Sequence, residues 1–102
     1  MYEVVFSPKA EADLIDLYLL IGFAASAEIA DNYTEANVCQ CESLKTFPTR
    51  GARRDDIRPG LRVFGFRRRV SIAFEVSGTV VTILGVYYGG RNLEAALRDL
   101  SS

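Results

Sequence analysis

The order of apolar patterns along these 102 residues predicts a two-layer α+β domain. A strand pattern comes first, two stretches with helical spacing follow it, and three stretches with strand alternation precede a short helix at the end. Two helices joined by a short link must bury their apolar stripes together, and one face of a sheet can cover them. We therefore expect the order β-α-α-β-β-β-α, a helical hairpin on a four-stranded, mainly antiparallel sheet, with residues 1–102 forming one domain.

The first strand and the first helix are predicted from local patterns. Residues 2–6 alternate as a strand does, and Ser7 followed by Pro8 is typical of a helix start. Gly22 is expected to end this helix. The apolar residues that share its inner face are Ala10, Leu14, Leu17 and Ile21.

A second helix is predicted over residues 27–46, after a short link at 22–26 in which Ser26 is the candidate N-cap. So short a link makes the two helices an antiparallel hairpin. The inner stripe of the second helix consists of Ala30, Tyr33, Asn37, Cys41 and Leu44.

The second half of the chain predicts an irregular segment, three strands and a short helix. Residues 48–60 contain two prolines and two glycines and are expected to form a long loop. Strands are expected at 61–66, at 69–76 and from 79 to 87 or 88, with Ser77-Gly78 as a hairpin turn. The last strand is apolar on both faces, which places it in the sheet centre. Asn92 is expected to cap the final helix.

The charges are divided unevenly along the chain. Residues 1–49 carry eight acids and two lysines, a net charge of −6, whereas residues 50–102 carry ten arginines and five acids, a net charge of +5. This division predicts a face for an acidic partner or for nucleic acid. The alternative is an acidic helical surface and a basic sheet surface that only keep the protein in solution.

The composition argues against several classes of protein. The chain has no histidine, which removes the usual general base and the commonest metal ligand. Cys39 and Cys41 lie two positions apart on a predicted helix, about 200° apart around its axis, so we expect buried free thiols, no metal and no cofactor. The longest apolar run has nine residues, against about 20 for a membrane span, so we expect a cytoplasmic protein without membrane contact.

Several short segments resemble the RelE/ParE superfamily of small toxins. These segments are FSPKA at 6–10 followed by Asp13-Leu14, Leu44 with Phe47-Pro48 and Gly51, RDDIRPGLR at 54–62, and ILGVYYGGR at 83–91. They stand in the order, and on the elements, that the superfamily shows. Tyr88 stands where many relatives have histidine.

This resemblance implies a ParE-type toxin of a type II toxin–antitoxin pair. Such a toxin inhibits DNA gyrase by binding it and is neutralised by a ParD-like antitoxin, with which it forms hetero-oligomers. No catalysis and no sequence-specific contact with nucleic acid are expected. The alternatives are a RelE-type, ribosome-dependent endonuclease of messenger RNA and a non-toxic interaction module. Missing histidine and few lysines favour gyrase inhibition.

The candidate contact residues are mostly arginines. Four arginines between 62 and 69 are expected to crowd around one hairpin, where they contact the target or antitoxin carboxylates, or else pair with Asp55, Asp56 and Glu75. Neighbouring Tyr87 and Tyr88 must point to opposite faces of the last strand. The residues predicted to bind the target or the antitoxin are Arg58, Arg62, Arg67, Arg68, Arg69, Tyr87, Tyr88 and Arg91.

A groove for the antitoxin is predicted beside the first helix. Leu17, Leu19 and Leu20 cannot all face inward on one helix. We expect some of their apolar surface to receive an amphipathic helix or an added strand of the antitoxin. The alternatives are contact with a second copy of the chain, or ordinary exposed leucines.

Overall fold

The computed structural model describes residues 2–67, 69–89 and 93–100, and it confirms the α+β class. The helical hairpin and the sheet follow one another as the apolar patterns predict. The elements are β1 (Glu3–Phe6), α1 (Pro8–Ala24), α2 (Ala27–Glu42), β2 (Ala52–Arg53), β3 (Leu61–Phe66), β4 (Val70–Ser77), β5 (Val80–Tyr88) and α3 (Leu93–Asp99), with a 3-10 turn at Ser43–Lys45 between α2 and β2.

The sheet has the strand order β1-β5-β4-β3-β2. β1 runs parallel to β5, and the other neighbours are antiparallel. β5 lies between two strands, as its apolar character on both faces predicts. The expected number of four strands was one too few, because Ala52 and Arg53 pair with Val63 and Arg62 inside the segment predicted to be irregular. Two residues are too short to show the alternation that identifies a strand.

The start of α1 agrees with its sequence, but its end does not. The Ser7 hydroxyl accepts the Ala10 N–H at 3.1 Å, which caps the helix. The helix continues past Gly22 to Ala24, and the Ala25 N–H donates to the Ile21 carbonyl at 2.8 Å. Gly22 keeps an ordinary helical conformation, and a Cβ there would lie 3.9 Å from Ala30 Cβ of α2. This glycine therefore marks the contact between the helices and does not end α1.

One polar residue in the apolar stripe of α2 lies in the core. Asn37 is fully buried and donates from Nδ2 to the Tyr33 carbonyl at 2.9 Å. The expectation of two buried thiols is half right, because Cys41 is buried and Cys39 is exposed. Burial raises the pKa of the Cys41 thiol to about 12, so this thiol stays protonated at neutral pH.

Each face of the sheet has its own apolar cluster. The face toward the helical hairpin buries the larger cluster, and the other face packs against α3. The buried residues of the hairpin face include Leu17, Ile21, Leu44, Phe64, Ile72, Phe74 and Ile83. Those of the α3 face are Leu61, Ala73, Leu84, Tyr87 and Leu97.

An irregularity in β5 decides which of its side chains face which layer. Ala73 of β4 lies opposite Gly85, whereas the next residue, Phe74, lies opposite Ile83, so Leu84 is an additional residue in β5. Such a bulge shifts the alternation of side chains by one position. Before it, Val81 and Ile83 face the hairpin; after it, Val86 and Tyr88 do so.

In the part of the chain that the structure describes, no helix combines the length and the apolar character needed to cross a membrane.

Candidate functional site

Four arginines of the described residues bind carboxylates, and we call them the paired arginines: Arg53, Arg54, Arg58 and Arg98. Arg54 binds Asp56 at 3.1 Å and Glu94 of α3 at 2.9 Å, and Arg98 binds the same Glu94 at 3.2 Å. Arg53 binds Asp55 at 2.9 Å. These contacts tie the segment before β3 to itself and to the last helix.

Arg58 is held from two sides. Its guanidinium lies 3.4 Å from Glu75 of β4 and donates to the Leu100 carbonyl at 3.3 Å. The structure therefore places Arg58, a predicted contact residue, in a bridge between the loop, the sheet and the end of the chain. A guanidinium with these partners stabilises the fold and has fewer donors left for another molecule.

The acids of the loop are held ionised by their neighbours. The Gly60 N–H and then the Arg53 guanidinium lower the pKa of Asp55. The Arg54 guanidinium lowers the pKa of Asp56, and that pair raises the pKa of Arg54 in return. Among the described residues these acids pair with Arg53 and Arg54 and not with Arg67 or Arg69 of the β3–β4 hairpin, so the alternative that they neutralise those two arginines was wrong.

Arg62 lies apart from the turn between β3 and β4. It stands near the start of β3, opposite Arg53 of β2, and donates to the Thr49 carbonyl at 2.9 Å. The expectation that all four arginines between 62 and 69 crowd around the hairpin was wrong for Arg62. Extended residues advance about 3.3 Å each, so four positions separate Arg62 from the end of the strand by more than 10 Å.

A cationic and aromatic surface forms at the turn, and we call it the hairpin-tip cluster: Tyr33, Phe66, Arg67, Arg69 and Tyr88. The Arg67 guanidinium lies 5.1 Å from the Phe66 ring centroid and 5.7 Å from that of Tyr33. Tyr33 meets Tyr88 edge to face, with 6.1 Å between ring centroids. Arg67 and Arg69 are exposed, and in the described residues neither forms an ion pair with a carboxylate.

The backbone at Arg67 is strained. Its φ of 53° lies in the left-handed region, which arginine occupies at a cost of about 1–2 kcal/mol. Arg67 was expected at this hairpin, and the structure places it in the turn between β3 and β4. Tight hairpin turns commonly place a central residue in this region.

Two predicted contact residues, Arg68 and Arg91, lie outside the described residues.

Tyr87 and Tyr88 point to opposite faces of β5, as predicted. Tyr87 is only 5% exposed and packs in the cluster under α3. Its ring lies across Gly85, where a Cβ would come within 2.6 Å of the Tyr87 hydroxyl. Burial raises the pKa of Tyr87. Tyr88 instead stands half-buried at the rim of the hairpin-tip cluster and is the tyrosine that a partner can reach.

A cavity of about 240 Å³ opens between α1 and the end of β5. We call it the edge cavity, and it is lined by Asp13, Asp16, Leu17, Leu20, Val86 and Tyr88. Of the three leucines predicted to form one groove, it contains two. Leu19 lies instead in a separate, apolar depression with Tyr18, Gly22, Phe23 and Ala27.

Asp13 and Lys9 are site residues that the sequence did not single out. The Asp13 carboxylate accepts from Lys9 at 2.7 Å and from the Val86 backbone N–H at 3.0 Å. Burial alone would lower the pKa of Lys9, but the hydrogen bond to Asp13 and the nearby Tyr87 outweigh it and raise the pKa. The spacing of Lys9 and Asp13 by four positions on a helix was the available signal.

Within residues 2–67, 69–89 and 93–100, no group of three or more His, Cys, Asp or Glu side chains could hold a metal ion.

The comparisons with known proteins agree with this architecture. A family model described as the ParE toxin of the type II toxin–antitoxin system parDE matches residues 4–93. The class is thus that of the toxins of type II toxin–antitoxin systems. The chain belongs to the ParE toxin family.

A solved structure agrees in fold. A chain from the chromosomal ParDE toxin–antitoxin system of P. aeruginosa is similar over 88% of this chain and 98% of its own length, with a TM-score of 0.77 and 27% sequence identity. No curated protein sequence matches this chain.

Proposed function

We propose that this ParE-family toxin inhibits DNA gyrase by direct binding in the cytoplasm and that a ParD-like antitoxin neutralises it. The observation that carries this proposal is the hairpin-tip cluster. Arg67 and Arg69 are exposed and lack carboxylate partners among the described residues, and Arg67 lies over Tyr33, whose ring meets that of half-buried Tyr88. Arginine and tyrosine are the residues that most often dominate the energy of protein interfaces.

The cluster is suited to binding more than to proton transfer. A tyrosine that acts as a general base at neutral pH needs a pKa lowered from about 10. Burial raises the pKa of Tyr33, although the charges of Arg67 and Arg69 act in the opposite direction. The pKa of Tyr87 is raised as well. These directions support a binding toxin over a RelE-type endonuclease.

The predicted contact residues fall into three groups in this proposal. Arg67, Arg69 and Tyr88 contact the target. Arg68, which stands between the two arginines in the sequence, and Arg91, three positions after Tyr88, are assigned to the same contact. Arg58, Arg62 and Tyr87 support the surface from within the fold. Leu17 and Leu20 belong to the surface that receives the antitoxin.

The test is a supercoiling assay with purified toxin, gyrase, ATP and relaxed plasmid. We expect loss of supercoiling or accumulation of cleaved plasmid, and restoration of supercoiling when a co-purified antitoxin is added. Arg69→Glu should weaken the inhibition, whereas Arg53→Glu, the same charge change at an arginine paired with Asp55, should not.

The opposite result has a defined meaning. Normal supercoiling over a wide range of toxin concentrations would overturn the proposal, and cleavage of messenger RNA on ribosomes would then assign the RelE-type activity. A chain that is inactive in both assays is an interaction module.

A further inference from the structure

The exposed side of β5 changes character halfway along the strand. β1 pairs only with residues 80–83 of β5. After Phe6 the chain leaves the sheet. The Ser7 N–H donates to the Ile83 carbonyl at 2.9 Å, and the Ser7 hydroxyl donates to the Leu84 carbonyl at 3.3 Å. In the described part of the chain, residues 84–88 have β4 on one side and no strand on the other. An unpaired strand edge of this kind is a template for another chain.

Backbone groups of this edge point outward at two residues. The Gly89 N–H donates to Arg69 on the β4 side, and alternation along an antiparallel strand turns the polar groups of Tyr88 to the opposite side. The Val86 N–H also points away from β4, because it meets Asp13. Asp13 thus accepts the outward N–H of Val86. The Val86 carbonyl and the backbone N–H and carbonyl of Tyr88 are left to pair with another strand.

The edge cavity lies along these backbone groups, and its lining has an apolar part and an acidic part. Leu20, which is 51% exposed, and Val86 supply an apolar wall. Asp13 is balanced by Lys9, but Asp16 is exposed and has no ion pair in the described residues. One unmatched carboxylate beside an apolar wall and a strand edge suits an extended segment that carries a cation and an apolar side chain.

We infer that an extended segment of the antitoxin adds to the β5 edge at Val86 and Tyr88, with an apolar side chain against Leu20 and a lysine or arginine against Asp16. This inference rests on the proposed antitoxin partnership and gives it a place and a chemistry. Pairing by the backbone supplies affinity, and the two side chains select the segment.

The probe is a short acetylated and amidated peptide in which lysine alternates with valine and leucine. Two matched peptides accompany it, one with glutamate in place of each lysine and one with alternate backbone amides methylated. Backbone amide signals of the ¹⁵N-labelled toxin are followed in NMR titrations. We expect the lysine peptide to shift the Val86 and Tyr88 signals and to slow hydrogen exchange of the Tyr88 amide. The two matched peptides should bind at least about 5-fold more weakly.

Variants on α1 locate the site. Asp16→Lys should weaken the lysine peptide roughly 5- to 10-fold, whereas Glu11→Lys, the same change at another exposed acid of α1, should not. Leu20→Ala should weaken it as well. Leu19→Ala tests the rival depression on the outer side of α1, since Leu19 is 48% exposed.

Several results would overturn the inference. One is equal binding of the methylated and the unmethylated lysine peptides. A second is weaker binding to Leu19→Ala with unchanged binding to Leu20→Ala. A third is an unchanged Tyr88 signal up to about 1 mM peptide, since a dissociation constant above that concentration means very weak binding. The antitoxin complex separates this inference from the proposed function. A neutralised toxin whose Tyr88 amide exchanges as in the free chain would overturn the inference alone. Failure to inhibit gyrase would overturn the proposed target alone, since the peptide titration does not involve gyrase.

Discussion

The paired arginines and the two arginines of the hairpin-tip cluster differ in what neutralises them. Arg54 and Arg58 bind carboxylates of α3 and β4, and they hold these elements against the loop. Arg67 and Arg69 have no carboxylate within ion-pair distance in the described residues, and Arg67 instead lies over two aromatic rings. The same residue type therefore supports the fold in one region and offers free positive charge in the other.

The net charge of residues 50–102 overstates how strongly this half of the chain can attract an acidic partner. Of the eight arginines of this half that the structure describes, five have acids or backbone carbonyls as partners, and the electric field of these five outside the molecule is reduced accordingly. A partner is attracted mainly by the charges that remain unmatched, and this attraction weakens as ionic strength rises. Substitutions in the two regions should consequently separate stability from activity.

The largest effect is expected for the double variant Arg67→Glu/Arg69→Glu. Reversing two unmatched charges at an interface should raise the toxin concentration needed for gyrase inhibition roughly 10- to 100-fold. The urea midpoint of unfolding should fall only slightly, because neither side chain has a carboxylate partner to lose and only the contacts of Arg67 with Tyr33 and Phe66 are removed. Unaltered inhibition by a folded double variant would remove the hairpin-tip cluster from the target contact.

Arg58→Ala should have the opposite profile. It removes the contacts with Glu75 and with the Leu100 carbonyl and leaves a half-buried carboxylate without its partner. We expect the free energy of unfolding to fall by about 1–2 kcal/mol in urea denaturation, with gyrase inhibition retained in the folded fraction. Glu75→Gln is the matched variant, and a double-mutant cycle should show the two changes to be coupled. Independent effects would mean that this ion pair does not stabilise the chain.

Arg67→Gly should raise stability while it lowers activity. Glycine occupies the left-handed conformation freely, so the change relieves strain of about 1 kcal/mol, from which the lost contacts with Tyr33 and Phe66 subtract. Thermal unfolding measures the first effect and the supercoiling assay the second. A drop in the unfolding midpoint would show that the ring contacts outweigh the backbone strain.

The smallest effect is expected for Arg53→Ala. This side chain is 66% exposed and pairs with an exposed Asp55, and such pairs contribute little because water screens them. Both the unfolding midpoint and the inhibition of gyrase should match those of the unaltered chain. A clear loss of inhibition would extend the target contact from the turn to β2.

Local chemistry made much of the fold predictable. Ser7 and Ser26 cap the two helices, and the inner stripes follow from helical spacing, so α1 and α2 could be placed from the sequence. The end of α1 could not, because Gly22 serves the packing of the helices and not a turn. β2 was missed because two residues give no alternation.

The candidate site was less predictable, because it depends on contacts between distant parts of the chain. Sequence proximity suggested that Asp55 and Asp56 neutralise the hairpin arginines. In the folded chain these two acids form ion pairs with Arg53 and Arg54 instead. The role of Asp13 depends on Val86, which lies 73 positions away. No local pattern contains such a contact.

The bulge at Leu84 decides which of the two neighbouring tyrosines reaches the surface. If β5 kept all its residues but paired with β4 without the bulge, every side chain after Leu84 would change sides, and Tyr87 would take the outer place while Tyr88 entered the core under α3. Deleting Leu84, the additional residue, would instead leave a regular strand in which Tyr88 keeps its outer place. One buried leucine of the α3 face therefore determines which tyrosine the opposite face presents.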